Sequence, residues 1–245
     1  MATIQSKCTR CRRGFEGDND LDNFDNVMFC SGECSFTDWT MVSKVPIAYL
    51  RTDPARIPNQ AGLKLALTWA DQRDGTGLVI HGEGCGTGKT RTATLAYREF
   101  GIRSWYGRED HDSYLDDNGN HLGFWRSASD LKAEYLAVCR KSEERAAWFK
   151  RICDARILLL DDVDKISASD GMMETLFGIL DTRLHNNSAT IVTTNKTGDE
   201  LIEKFGDEFG PPIVRRLRDL CLCLNFDAKE SSALIIPMHS MRANA

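Results

Sequence analysis

The stretch V-I-H-G-E-G-C-G-T-G-K-T-R, which covers Val79–Arg91, decides the fold of this chain. It starts as an apolar strand and continues as a glycine-rich loop that ends in Gly88, Lys89 and Thr90. Glycines let successive backbone N–H groups point inward without Cβ clashes, so such a loop can enclose a polyphosphate. Lys89 adds a positive charge for the β- and γ-phosphates, and the Thr90 hydroxyl can bind Mg²⁺. A helix that begins here adds the positive end of its dipole, so the stretch predicts a phosphate-binding loop.

A second stretch, I-L-L-L-D-D at Ile157–Asp162, completes this prediction. Its apolar run is typical of a buried strand, and its two terminal carboxylates are groups that a metal-dependent phosphoryl-transfer site needs. A third strand-like run ends in Thr194 and Asn195. Because parallel α/β sheets bind ligands at the carboxyl ends of their strands, we expect the three segments to meet at one site. The sequence therefore predicts a protein that binds ATP or GTP and hydrolyses it.

Each polar residue of this predicted site has a candidate role. Asp161 would hold Mg²⁺ directly or through water, Asp162 would orient or deprotonate the attacking water, and Asn195 would position that water or sense the γ-phosphate. Structural explanations stay open for each signal alone: a glycine turn, an ordinary acidic strand end, and an asparagine in a turn. The order and spacing of the three favour a single nucleotide site. The residues expected to contact the nucleotide are Gly84, Cys85, Gly86, Thr87, Gly88, Lys89, Thr90 and Asp161.

One residue departs from the usual pattern of such loops. Where a glycine is expected before Gly88, the chain has Glu83, with Gly82 and Gly84 on either side of it. The start of the loop is therefore expected to shift by one residue. Glu83 also places a negative charge near the phosphates, which would weaken nucleotide affinity.

Length and composition limit the other possibilities. A chain of 245 residues has room for one α/β domain and a small appendage. The formal net charge of −5 means that nucleic-acid contact would have to come from local basic patches. No apolar run approaches the roughly 20 residues that cross a bilayer, and Met1–Lys7 lacks the apolar core of a signal peptide. We therefore expect a cytoplasmic protein in a reducing compartment, without a membrane partner.

The chain divides into four predicted regions: a cysteine-containing head at 1–45, a linker at 46–60, a nucleotide-binding core at 61–230 and a tail at 231–245. Helical and strand-like segments alternate through the core, which implies a three-layer α/β fold with a mostly parallel five-stranded sheet. The predicted helices are 61–70, 90–100, 129–151, 171–184 and a short one opened by Gly210, Pro211 and Pro212. The predicted strands, besides the one before the loop, are 122–126, 155–161, 189–194 and 220–226, and 102–106 is a candidate for a further strand. An acidic, turn-rich insertion occupies 107–121.

Four cysteines of the head form two close pairs, Cys8 with Cys11 and Cys30 with Cys34. Such spacing lets both thiolates of each pair face one ion, so the two pairs predict a tetrahedral Zn²⁺ site. A module of about 40 residues with few large apolar groups also needs a cross-link to fold. Disulfides, which the compartment disfavours, and unrelated free cysteines are the alternatives. Basic residues around the first pair could contact phosphates, or the head could bind a protein partner.

Residues 61–226 resemble the core of an AAA+ ATPase, and specifically the DnaC/IstB-like helicase loaders and transposition helpers. The resemblance is carried by G-C-G-T-G-K-T at Gly84–Thr90 as Walker A, I-L-L-L-D-D-V-D-K at Ile157–Lys165 as Walker B, I-V-T-T-N at Ile191–Asn195 as sensor 1, and F-G-P-P-I-V-R-R-L-R-D-L-C at Phe209–Cys221 as the arginine-bearing segment. The Walker motifs occur in many ATPases. The Arg-Leu pair just before the last strand narrows the resemblance to this group.

The resemblance implies an ATPase that binds ATP and Mg²⁺ and assembles into a homo-oligomer in the ATP state. It implies that Arg216 acts in trans on the γ-phosphate of a neighbouring protomer, although a solvated arginine-rich helix face is an alternative. It also implies that the protein loads or remodels a replicative helicase on single-stranded or duplex DNA. Alternatives are a helper that activates a transposase on target DNA and a weakly hydrolysing, ATP-bound adaptor. The chain departs from the family pattern in having no room for a full helical lid after Phe226.

Direct DNA binding has only a weak local signal. The predicted helix at 129–151 carries basic residues interleaved with Glu134, Glu143 and Glu144, a pattern typical of a solvated face. Trp125 could stack on a base, and a position in the core is the alternative. The expectation of DNA binding therefore depends on the family resemblance.

Overall fold

The computed structural model describes residues 3–7, 14–18, 44–50, 52–72, 76–106, 123–167 and 169–227. Three sequence predictions fall outside these residues: the zinc ligands Cys8, Cys11, Cys30 and Cys34, the insertion at 107–121, and the tail at 231–245. Within the head, strands β1 (Thr3–Lys7) and β2 (Gly14–Asp18) pair antiparallel, with Lys7 opposite Gly14.

The core contains a five-stranded sheet in which every pairing is parallel. Its strands are β3 (Gly77–His81), β4 (Gly123–Ser127), β5 (Ile157–Asp161), β6 (Ala189–Thr194) and β7 (Cys221–Asn225). They lie in the order β4-β5-β6-β3-β7, so β3, which leads into the phosphate loop, lies between β6 and β7. The predicted five-stranded sheet is confirmed, and it is wholly parallel.

Helices cover both faces of this sheet. They are α1 (Ile47–Leu50), α2 (Gln60–Gln72), α3 (Lys89–Tyr106), α4 (Ala128–Val138), α5 (Ser142–Asp154), α6 (Asp170–His185) and α7 (Gly198–Leu220), with 3-10 turns at Pro54–Arg56 and Val163–Lys165. Alternate residues of β5 face opposite layers. Leu158 and Leu160 pack with α4 to α7, whereas Ile157 and Leu159 pack with α2 and α3. A continuous apolar strand is what a sheet buried on both faces requires.

Three predicted element boundaries are wrong, each for a local reason. The predicted strand at 102–106 is the end of α3, which continues through the buried Gly101, since extending a helix past one glycine costs only about 1 kcal/mol. The predicted helix at 129–151 is two helices separated at 139–141, and the first is capped by Ser127, whose hydroxyl accepts a hydrogen bond from the Asp130 N–H at 3.1 Å.

No described helix is long and apolar enough to cross a membrane.

The third wrong boundary is the helix that was expected to open at Gly210. Helix α7 begins at Gly198, and its backbone is interrupted at Gly206, where φ is 80° and ψ is 166°. Both prolines, Pro211 and Pro212, lie inside the helix near the start of the part that follows this kink. Because proline has no backbone N–H, neither residue can donate a hydrogen bond to the carbonyl four residues before it.

Candidate functional site

Four glycines shape the loop between β3 and α3. Gly82, Gly84, Gly86 and Gly88 have φ angles of 144°, 96°, 81° and 92°, which L-residues rarely adopt. A Cβ atom added to Gly86 would meet no atom within 4 Å, so this position needs glycine for its backbone conformation and not for space. The loop thus has the open, glycine-lined form that the sequence predicted.

The Lys89 side chain is buried inside this loop. Its ammonium donates hydrogen bonds to the carbonyl oxygens of Gly82 and Gly84, both at 2.8 Å, and to the Thr87 hydroxyl at 3.1 Å. Burial lowers the pKa of Lys89, while Asp162 and other nearby acidic groups oppose that effect. The loop therefore holds a positive charge at its centre, where a polyphosphate would need it.

The Asp161 carboxylate lies at the end of β5, buried beside two hydroxyl groups. Thr193 on the neighbouring strand β6 donates to its Oδ1 at 2.6 Å, and Thr90 of α3 also donates to it. Burial raises the pKa of Asp161, and these two hydrogen bonds reduce the shift. Hydroxyl and carboxylate oxygens are ligands that Mg²⁺ prefers, so Thr90 and Asp161 fit the ion that the sequence predicted for them.

Asp162 adopts a left-handed conformation, with φ 57° and ψ 48°, which is uncommon for a residue other than glycine. Its N–H donates to the Thr193 hydroxyl at 2.8 Å. The Asn195 amide donates to its Oδ1 at 3.2 Å, and the Lys165 ammonium pairs with its Oδ2. The strained backbone is thus held by β6, and both carboxylate oxygens are engaged.

Most of these groups line one cavity of about 410 Å³ that opens to solvent, whereas the buried Asp161 is not among its lining residues. The lining residues are Tyr49, Arg56, Ile57, Pro58, Gly84, Cys85, Gly86, Thr87, Gly88, Lys89, Thr90, Arg91, Asp162, Lys165 and Asn195. The phosphate loop and the ends of two strands therefore meet, as the sequence predicted. Glu83 is not among the lining residues, because its N–H is bonded to the Asp227 carboxylate and its side chain is exposed.

Sequence reasoning missed part of this lining. Lys165 stands at the end of the quoted D-D-V-D-K run, so its closeness to Asp162 in the sequence was a usable signal. The connector residues Tyr49 and Arg56 had no such signal, because they precede the loop by about 30 residues or more and only the tertiary fold brings them to the cavity.

Arg216 lies away from this cavity, on the α7 face that packs against α6. Its guanidinium pairs with the Asp181 carboxylate, lies 4.6 Å from the centre of the Phe177 ring and donates to the Pro212 carbonyl at 3.3 Å. The side chain is 17% exposed. The neighbouring Arg215 is exposed to solvent. The structure therefore does not bring Arg216 to the cavity of its own chain.

The other candidate residues are placed as follows. Trp125 is buried in the core, so it is not available to stack on a base. Cys85 is exposed in the loop. In the described part of the chain, no three His, Cys, Asp or Glu side chains are grouped so that they could hold a metal ion. A magnesium ion at Asp161 and Thr90 would accordingly take its remaining ligands from water and phosphate.

Solved structures with this fold were found, although no family model and no curated protein sequence matches the chain. DnaI superposes with a TM-score of 0.56 at 18% identity, over 74% of this chain and 94% of DnaI. The DnaC helicase loader gives 0.52 at 19% identity, over 68% of this chain and 88% of DnaC. AMPPCP-bound DnaA from Aquifex aeolicus gives 0.53 at 16% identity, over 68% of this chain and 46% of DnaA. This chain spans less than half the length of that initiator.

The chain shares the α/β fold of these structures, with a wholly parallel five-stranded sheet. The predicted fold class is confirmed, and the resemblance to DnaC-like proteins holds at the level of the fold. Identities below 20% show this fold and nothing further about activity or partners.

Proposed function

We propose that this protein binds ATP with Mg²⁺, hydrolyses it, and uses the cycle to load or remodel a replicative helicase on DNA. The observation that carries the proposal is the cavity in which the phosphate loop, Asp162 and Asn195 meet. A loop of positive-φ glycines around a buried lysine is suited to a polyphosphate, and the acidic strand end beside it is suited to metal-assisted phosphoryl transfer.

Each site residue then has a role. Lys89 and the loop N–H groups bind the phosphates, while Thr90 and Asp161 hold Mg²⁺, which supplies positive charge to the phosphate oxygens. Asp162 orients or deprotonates the attacking water, and Asn195, bonded to Asp162 at 3.2 Å, positions it. Arg216 completes the site of a neighbouring protomer, for which it must first leave Asp181.

The role of Asp162 can be tested directly. Asp162→Asn keeps the shape of the side chain but removes its basicity, so we expect ATP binding within about threefold of wild type and a loss of turnover of about 10²-fold or more. Calorimetric titration with AMPPCP and steady-state release of phosphate measure the two quantities. Lys89→Ala is the comparison variant, since it is expected to lose binding itself. Undiminished turnover in Asp162→Asn would refute the assignment.

The partner and the DNA requirement are tested by different measurements. The likeness to proteins described as a DnaC helicase loader and as DnaI supports a helicase partner for this chain. Turnover measured with and without single-stranded DNA separates a DNA-dependent enzyme from an ATP-bound adaptor. Affinity purification of the intact protein identifies the partner. Recovery of a transposase instead of a helicase would assign the chain to the transposition helpers.

We further propose that Cys8, Cys11, Cys30 and Cys34 hold one structural Zn²⁺. The support is their spacing in the sequence, which gives two thiolate pairs of the kind that complete a tetrahedral site. Metal analysis of the purified protein should find about one zinc per chain, and none after all four cysteines are replaced by serine. A metal content unchanged by that replacement contradicts the assignment.

A further inference from the structure

Lys165 is connected both to Asp162 and to the cavity. It ends the 3-10 turn Val163–Lys165 that follows Asp162, and its ammonium pairs with the Asp162 carboxylate. Its side chain is 61% exposed and lines the cavity together with the phosphate loop. The residue therefore contacts the carboxylate assigned to water activation from the side on which phosphates would bind.

The turn that carries Lys165 is fixed at its base. The Lys165 N–H donates to the Asp162 carbonyl at 2.9 Å and the Ile166 N–H donates to the Val163 carbonyl at 3.1 Å. Val163 and Ile166 are both buried in the core. Only the side chain of Lys165 can move, since its backbone is held while its four-carbon stem is in solvent.

A stronger anion can replace the Asp162 carboxylate as the partner of the Lys165 ammonium. An ion pair this exposed contributes about 0–1 kcal/mol, because water screens it. The two neighbouring carboxylates already accept hydrogen bonds. Asp164 accepts one from the Asn195 N–H at 2.9 Å, and Asp161 accepts one from the Thr193 hydroxyl at 2.6 Å. The hydrogen bond with Asp162 raises the pKa of Lys165, so its ammonium stays charged near neutral pH. A terminal phosphate, with its higher charge, is a stronger partner for this ammonium than a single carboxylate.

Lys89 cannot serve the same purpose. Its ammonium is held by three oxygens of the loop itself, and its side chain is buried. It therefore remains at the loop whether the bound nucleotide has two phosphates or three. Lys165 differs from Lys89 in that its side chain is exposed and lies outside the loop.

We propose that Lys165 exchanges Asp162 for the terminal phosphate of a bound nucleoside triphosphate. The exchange makes Lys165 a specificity-determining residue that distinguishes ATP from ADP within one chain. It also frees the Oδ2 atom of Asp162 to accept a proton or a hydrogen bond from water. This inference rests on the proposed nucleotide site.

The test compares the binding of AMPPCP and ADP, each with Mg²⁺, by calorimetry. In Lys165→Met, which keeps the length of the stem and removes the charge, ADP affinity should be unchanged and AMPPCP affinity about tenfold weaker, the effect of one charge-assisted hydrogen bond. Lys165→Arg should restore most of the AMPPCP affinity. Lys141→Met is the matched control, since Lys141 is 62% exposed and pairs with Glu144 three residues away, outside the cavity.

A double-mutant cycle tests the exchange itself. Asp162→Asn removes the competing partner, so AMPPCP should bind more tightly to this variant, and the coupling between the Asp162→Asn and Lys165→Met changes should be larger than for ADP. Additive effects for AMPPCP would overturn the exchange. Equal losses for both nucleotides in Lys165→Met, or no loss, would overturn the specificity role while the proposed site stands. A wild-type protein that binds neither nucleotide would overturn the proposed function as well.

Discussion

At the scale of single residues, Asp161 shows the conflict between stability and a metal site. The carboxylate is buried at a strand end, and burial raises its pKa, while its hydrogen-bond partners are the hydroxyls of Thr193 and Thr90. A buried charge whose hydrogen-bond partners are neutral hydroxyls lowers the free energy of unfolding. The residue is thus placed for a ligand at the expense of the nucleotide-free fold.

Asp161→Asn is expected to stabilise the nucleotide-free protein by about 0.5–2 kcal/mol at neutral pH, since the amide keeps the shape without the charge. Because the folded protein has the higher Asp161 pKa, it binds more protons than the unfolded chain in the window above about pH 4. Wild-type stability therefore decreases through that window as pH rises, and the gain from the substitution increases. Urea unfolding of both proteins between about pH 4.5 and 7 measures this difference.

The control is Asp219→Asn, an exposed carboxylate whose replacement should change stability by less than about 0.5 kcal/mol at every pH. A gain for Asp161→Asn that is independent of pH, or a loss, would show that the buried carboxylate is not the cause. The same variant should lose Mg²⁺-dependent binding of AMPPCP if Asp161 holds the metal.

The sequence pattern was enough to identify most residues of the candidate site, but it did not identify Lys165 as one of them. Lys89, Thr90 and Asp161 were identifiable because the glycine-rich loop and the apolar strand have local patterns. Lys165 was quoted within its motif without a role: its closeness to Asp162 in the sequence was a signal of proximity, but nothing in the sequence indicates the left-handed conformation of Asp162. Three-residue spacing alone does not determine which way a side chain points.

At the scale of elements, helix α7 is kinked, and the kink at Gly206 divides it into two helical parts. Gly206 has φ 80° and ψ 166°, a region that is essentially restricted to glycine, although a Cβ there would meet no atom within 4 Å. The constraint at this position is therefore conformational. The capping box of Thr197 and Glu200 fixes the start of the helix, and the buried residues Ile213 and Leu217 fix its later part.

Gly206→Ala is expected to reduce the free energy of unfolding by about 1–3 kcal/mol, because alanine has to adopt this unfavourable conformation. Urea unfolding measures the loss. Glu203→Ala, at an exposed position of the same helix, is the control and should change stability by less than about 0.5 kcal/mol. Equal stability of Gly206→Ala and wild type would mean that the helix can straighten without cost.

The elements of the core were predictable to the extent that their patterns were regular. Strands β5 and β6 were found almost residue for residue, since a buried parallel strand has a continuous apolar run. The predicted helix end before Gly101 is wrong, because the helix continues through that glycine, whereas Gly206, for which the sequence pattern made no prediction, kinks a helix. A glycine in a sequence does not by itself indicate whether a helix continues through it or kinks there, because the surrounding packing decides this.

At the scale of the whole molecule, Arg216 is held inside its own chain by Asp181 and the Phe177 ring. Action on a neighbour requires those contacts to be exchanged for contacts across an interface. If Arg216 has the proposed role in trans, turnover per protomer is expected to depend on protein concentration.

Turnover per protomer should rise by about tenfold or more across the range in which the protein assembles, and Arg216→Ala should remove the rise. Mixing Arg216→Ala with Lys89→Ala should restore turnover, because the first retains a nucleotide site and the second supplies the arginine. Arg215→Ala, at the exposed neighbouring position, should behave as wild type. Loss of turnover in Arg215→Ala but not in Arg216→Ala would assign the role in trans to Arg215. Turnover per protomer that does not change with protein concentration would contradict a role in trans for either arginine.

The last two described residues, Phe226 and Asp227, connect the end of the core to strand β3 and the glycine-rich loop. The Phe226 N–H donates to the His81 carbonyl at 2.7 Å, and the Asp227 carboxylate accepts the Glu83 N–H at the first turn of the glycine-rich segment. Asp227, the last residue that the structure describes, is therefore tied to the start of the glycine-rich loop. Any rearrangement of Glu83 on nucleotide loading would displace this anchor, so the position of Asp227 would report occupancy without contacting the ligand.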